Sequence, residues 1–115
     1  MAALVALVTF LLYLRSLQND FVNWDDPVYI INNPHIRSFN LTFFKWAFFA
    51  FYASNWHPLT WISHALDLAV WGLNPLGHHL INNIFHSFNT MIVVFLVIRL
   101  MEISKKTARK DATSE

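Results

Sequence analysis

The chain has no cysteine among its 115 residues, which excludes a disulfide framework, thiolate metal sites and a cysteine nucleophile. It is also poor in charge. Charged residues make up 13% against roughly 25% in a soluble domain. Net charge is +1, so whole-chain electrostatics offer no footprint for nucleic acid. No internal repeat is visible, and the length allows at most one small domain, without room for separate catalytic and binding domains. What fills the composition is apolar. Hydrophobic residues reach 56% and aromatic residues 17%, more than so small a soluble domain could hide, so the sequence reads as a membrane protein.

The first apolar run, Ala2 to Leu14, is broken only by Thr9. At 1.5 Å per residue it covers roughly 20 Å of a hydrocarbon core about 30 Å thick. A signal peptide is the competing reading, but no Lys or Arg precedes the run and no small-x-small cleavage site follows. We therefore expect residues 1–14 to be a transmembrane helix whose start is truncated. Residues 15–78 form the expected external loop. Within it Asp25-Asp26-Pro27 and Asn32-Asn33-Pro34 supply turn chemistry. Asn40 can cap a helix over 41–52, and Pro58 can open another over 58–71 that Gly72 ends. Both are too short to span and carry large aromatics, which suits helices lying along the interface. Asn74-Pro75 starts a third helix, polar at first and greasy from Met91 to Met101, giving a second span over 79–101. Residues 102–115 read as a basic tail, disordered from Lys105 and cytoplasmic by the positive-inside rule. The expected fold is all-α, with two transmembrane helices flanking the external loop and both termini inside.

Asp25 and Asp26 follow Trp24 close to the first apolar run. A carboxylate there can take a proton from a hydroxyl or hold a metal beside a phosphate. Equally, Asp-Asp-Pro is common turn chemistry. His57 and His64 are seven apart and share a helix face, while His78, Asn82, His86 and Asn89 make one polar stripe. A zinc site would need such imidazoles converging with a carboxylate such as Asp67. No His-Glu-x-x-His or other close metal spacing is present, so we assign no metal ligands and no cofactor, a divalent metal being the minor alternative. Contact of one or two histidines with a phosphate is the stronger expectation. The tryptophans read mainly as interfacial anchors and secondarily as a platform for a sugar. Asn40-Leu41-Thr42 matches an N-glycosylation acceptor, a tripeptide that often arises by chance.

Four strings together carry a resemblance: Phe21-Val22-Asn23-Trp24-Asp25-Asp26-Pro27-Val28-Tyr29, Asn55-Trp56-His57-Pro58-Leu59-Thr60-Trp61, Ser63-His64-Ala65-Leu66-Asp67, and Gly72 to Asn82 with its His78-His79 pair. They resemble the N-terminal region of polytopic membrane proteins with C-terminal tetratricopeptide repeats, among them the transmembrane O-mannosyltransferases of animals and bacterial relatives. The resemblance implies the first module of a GT-C glycosyltransferase fold, whose first external loop holds an acidic motif and two membrane-parallel helices. It implies a polyprenyl-phosphate-sugar donor, a protein hydroxyl as acceptor, and membrane lipid as surroundings. Asp25 and Asp26 match the acidic motif, one of them as general base or acceptor-positioning group. His57, His78, His79, Asn82 and Trp24 occupy positions where donor-phosphate or substrate binding is expected. The family also needs further spans, a second external loop and the repeats, which this chain lacks, so we expect it to be a fragment that is inactive without the remainder of a parent polypeptide. The other reading is a non-catalytic anchor for a repeat module that binds proteins. A third is a small metal-binding membrane protein. A bacterial inner membrane, with the loop on its external face, is the expected location.

Overall fold

The computed structural model describes residues 1–112, all of whose regular structure is helical apart from one isolated bridge between Tyr52 and Asn55. The described residues divide into two compact units, 15–81 and a second made of 1–14 with the chain from 82 onward.

In the second unit, α1 (Ala2–Leu12) contains no Gly, Pro or charge to interrupt it, and none of its residues is buried. Tyr13–Gln18 continues as a tighter 3-10 turn. Opposite it runs the later part of α4 (Pro75–Ala112), the one helix among the described residues long and apolar enough to cross a membrane. The Asn83 amide donates to the Phe10 carbonyl at 3.1 Å, and the Tyr13 ring meets His86 edge-on at 4.8 Å. The residues that α4 turns inward here are Asn83, 4% exposed, and Ser87, whose hydroxyl donates to the Asn83 carbonyl. The stripe expected through Asn82, His86 and Asn89 is thus shifted one position along the helix, and those three side chains are exposed. The C-terminal expectation also needs correction. The helix does not stop near Met101 but runs on to Ala112, through the segment expected to be disordered. Ile103 to Lys110 has no Gly or Pro and is rich in strong helix formers. Arg99 supports it locally, pairing with Glu102 at 3.3 Å and lying over the Phe95 ring. The last residues of the tail, 113–115, lie outside the described range.

Unit 15–81 is built around aromatic packing. Asn40 caps α2 (Leu41–Phe49): its side-chain oxygen accepts from the Phe43 amide at 2.9 Å while its amide donates to Ser38. The cap is the bland alternative to the glycosylation reading. The helix ends three residues before the expected Tyr52. Ala53 and Ser54 both adopt positive φ, 50° and 63°, and Tyr52 and Asn55 exchange both backbone hydrogen bonds across them at 3.0 Å. This is the tight turn normally built from Asn-Gly, and Ala-Ser hides it from a sequence reading. α3 (Pro58–Trp71) has the expected bounds, with Pro58 in its first turn and Gly72 beyond its end at φ 60°. Trp61 and Ala65 of α3 pack on Phe43 and Ala47 of α2 and on Ile36 from the short turn His35–Arg37.

The connection from α3 to α4 is tight. Asn74 receives the Leu76 amide on its side chain, as a cap before Pro75 should. Gly77 is needed for a steric reason: a Cβ there would lie 2.1 Å from Cγ of Trp71. Gly77→Ala should therefore destabilise the chain by about 1–3 kcal/mol, the usual range for overpacking. Thermal unfolding in detergent checks this, and adding Trp71→Ala should restore most of the loss. Ser54→Gly should do the opposite, gaining about 1 kcal/mol by removing a side chain from left-handed backbone; an unchanged melting temperature would contradict the strain.

Candidate functional site

The acidic loop begins where the Asp25 carbonyl accepts the amides of Val28 and Tyr29 at 3.0 and 2.9 Å. A single π-helical turn, Pro27–Ile31, follows, closed by the Asn32 amide on the Pro27 carbonyl. Such turns recur at functional sites. The two carboxylates do different things. Asp26 accepts the Val22 amide at 2.7 Å and so ties the loop back on itself. Asp25 is exposed, and no described hydrogen bond reaches its carboxylate.

Tyr29, on the π-turn, is directed inward. Its hydroxyl accepts from the Asn55 amide at 2.7 Å, which leaves its proton for His57 Nε2 at 3.3 Å. The ring packs 4.9 Å from Trp61. The tight turn at Ala53-Ser54 thus positions Asn55, and Asn55 positions the tyrosine.

Farther along α3, one ring nitrogen of His64, one carboxylate oxygen of Asp67 and one ring nitrogen of His78 lie within 4.8 Å of one another. This is the group that could hold a metal. His64 and Asp67 sit one turn apart on α3, and the Gly72–Asn74 connection brings His78 back beside them. Its Nε2 lies 2.9 Å from the Gly72 carbonyl, and Phe21 meets its ring edge-on. Burial raises the Asp67 carboxyl above its usual range, with His78 opposing. Burial lowers His64, as does the neighbouring charge of His78, and Asp26 pulls the other way. The acidic loop meets the histidines through Tyr29, whose hydroxyl lies beside His57. Four buried nitrogens in this unit have no hydrogen-bond partner: Trp61 Nε1, His64 Nδ1, His78 Nδ1 and His79 Nε2. Native interiors rarely leave such atoms unpaired, and their concentration here sets this region apart.

No family model matches the chain, and no solved structure does. Two curated relatives match 82% of it: the protein O-mannosyl-transferase TMTC1 of Mus musculus, 34% identical over 105 residues, and that of Homo sapiens, 31% identical over 105 residues. The chain belongs to this O-mannosyl-transferase-like family. It spans only 11% of the mouse relative and 12% of the human one. Both relatives are mammalian, which lends nothing to a bacterial membrane.

In this member of the family, Trp24, Asp25, Asp26, His57, His78 and His79 of the expected site residues lie in one unit, with His78 buried and Asp26, His57 and His79 half-buried. Trp24 is 83% exposed, and its ring stacks on nothing among the described residues. Asn82 is exposed and falls in the other unit. Tyr29 and Asn55 stand inside the quoted strings with no site role expected of them, while His64 and Asp67 carry only the minor zinc alternative in the sequence reading. The i, i+3 spacing of His64 and Asp67 was the available signal. Tyr29→Phe should cost about 1 kcal/mol by removing one hydroxyl that serves two partners; chemical denaturation checks this, and Asn55→Ala added to it should cost little more.

Proposed function

We propose that residues 15–78 are the first external loop of a GT-C glycosyltransferase that moves a sugar, mannose by analogy with the relatives' names, from a polyprenyl-phosphate donor to a protein hydroxyl. The observation that carries this is the division between the two aspartates: Asp26 is committed to holding the loop, and Asp25 is exposed and unbonded at its head. Asp25 is then the general base. It takes the proton of the acceptor hydroxyl as that oxygen attacks the anomeric carbon. The carbon–oxygen bond to the phosphate breaks on the opposite face, its electrons leave with the polyprenyl phosphate, and the configuration inverts. His57 and His79 take the departing phosphate in this reading, and Trp24 meets the membrane surface or the sugar.

Two spans flank the loop in this reading. The apolar run over 2–14 covers about 20 Å of the ~30 Å hydrocarbon thickness, a mismatch met by local thinning of the bilayer and snorkelling of Arg15. The basic end of α4 stays in the cytoplasm. A two-span chain cannot enclose a lipid donor and exclude water, so transfer requires the further spans of a complete enzyme.

The test replaces the matching segment of the mouse relative with this chain's residues and follows mannose transfer from a polyprenyl-phosphate donor in membranes. Activity should survive the exchange and fall about 10²–10⁴-fold with Asp25→Asn, the usual contribution of a general base. Full activity in that variant would remove Asp25 as the base, and a chimera that transfers nothing while the mouse parent does would favour a non-catalytic anchor of a repeat module. Turnover by the purified chain alone, lost in Asp25→Asn, would refute the need for further spans.

A further inference from the structure

We propose that His64, Asp67 and His78 bind one divalent transition-metal ion of the zinc class through two imidazoles and a carboxylate, with a fourth position left for a small oxygen ligand. The three ligand atoms already lie within 4.8 Å of one another. Bonds of about 2.0–2.2 Å to nitrogen and oxygen put tetrahedral ligands roughly 3.3 Å apart, so side-chain rotations that draw the atoms inward by about an ångström or more complete the geometry.

The hydrogen bonding of His78 is the strongest support. The Gly72 carbonyl can only accept, so the Nε2 facing it at 2.9 Å must carry the proton. In the neutral ring Nδ1 is then a bare lone pair, and it is one of the buried atoms without a partner in a residue 2% exposed. A metal-binding imidazole is normally held in this way, with its far nitrogen donating to a carbonyl that fixes tautomer and ring orientation.

Asp67 supplies the charge. It is 6% exposed, and no described ion pair or hydrogen bond reaches its carboxylate. Buried carboxylates are ordinarily paired or bound to metal. The cations of this unit do not serve it: Arg37 is spent on the carbonyls of Ile30, Ile31 and Asn33, and Arg15 and Lys45 are exposed. A simple Asp67–His78 ion pair through Nδ1 would serve both groups, but their charged atoms do not come within ion-pairing distance. Two imidazoles also set the class of ion, since Mg²⁺ and Ca²⁺ take oxygen ligands. Lack of a close histidine motif concealed the site, because its third ligand arrives through the turn between α3 and α4. The inference is independent of the transferase reading.

The whole chain, purified in detergent and stripped with chelator, is titrated with ZnCl₂ by calorimetry and with CoCl₂ by visible absorption. One equivalent of Zn²⁺ should bind, and Co²⁺ should give the intense d–d band of a tetrahedral site. His78→Ala and Asp67→Asn should each weaken Zn²⁺ binding by more than the about 10–100-fold typical of outer-shell losses, and His86→Ala should not. Sub-stoichiometric binding, or binding unchanged in both variants, would overturn the proposal. Should either variant fail to fold, histidine nitrogen NMR of the unaltered chain decides. Zn²⁺ must then shift Nδ1 of His78 and one nitrogen of His64 while leaving His35 and His86 alone; any other pattern rejects the site.

Discussion

Trp61 has no surface left to solvent, and the enclosure of so large a ring fixes how α3 is rolled about its axis. Tyr29, Trp46 and Tyr52 close over it with ring centroids 4.9–5.6 Å away, the spacing of offset and edge-on aromatic pairs. Once Trp61 and Ala65 face α2, the positions four back and three ahead of the tryptophan must lie beside it on the helix surface. Those positions are His57 and His64, whose rings sit 5.1 and 6.4 Å from the indole. Asp67 follows one turn beyond His64. The chemistry-bearing side of α3 is therefore a consequence of its packing side, and a change in the roll of this helix would scatter both.

The same constraint explains what the loops must do. The acidic loop reaches the histidines because Tyr29 belongs to the shell around Trp61, and Tyr29 stays there because Asn55 holds its hydroxyl. Asn55 is in place because two non-glycine residues accept left-handed backbone between it and Tyr52. Strain of that kind, about 1–2 kcal/mol per residue, persists where surrounding contacts over-determine it. Here those contacts lead within two steps to His57.

What the sequence made legible was local. The bounds of α3 follow from Pro58 and Gly72, the start of α4 from Asn74-Pro75, and the cap of α2 from Asn40, because each depends on neighbours only a few residues away. The turn at Ala53-Ser54 was not legible, since neither residue prefers the backbone it adopts. Nor was the end of α4, where a run of charges that reads as a solvated tail is also a run of helix formers. The inward face of α4 was misjudged by one position, enough to exchange Asn82 and His86 for Asn83 and Ser87. The acidic pair could be found from sequence, yet the unequal use of its members could not, because it rests on which carboxylate the Val22 amide meets.

That inequality bears on how the unit could work. A carboxylate that must accept a proton gains nothing from being tied to a backbone amide, because such a bond stabilises its charged form and weakens it as a base. Asp26 carries that bond and also acts on His64 through space, so its charge serves the loop and the histidine cluster together. Asp25, one residue earlier, escapes both. The π-turn opened by Pro27 follows the pair directly, and its Val28 and Tyr29 amides donate to the Asp25 carbonyl. The loop thereby leaves the Asp25 side chain exposed and unbonded while its neighbour is tied to the Val22 amide.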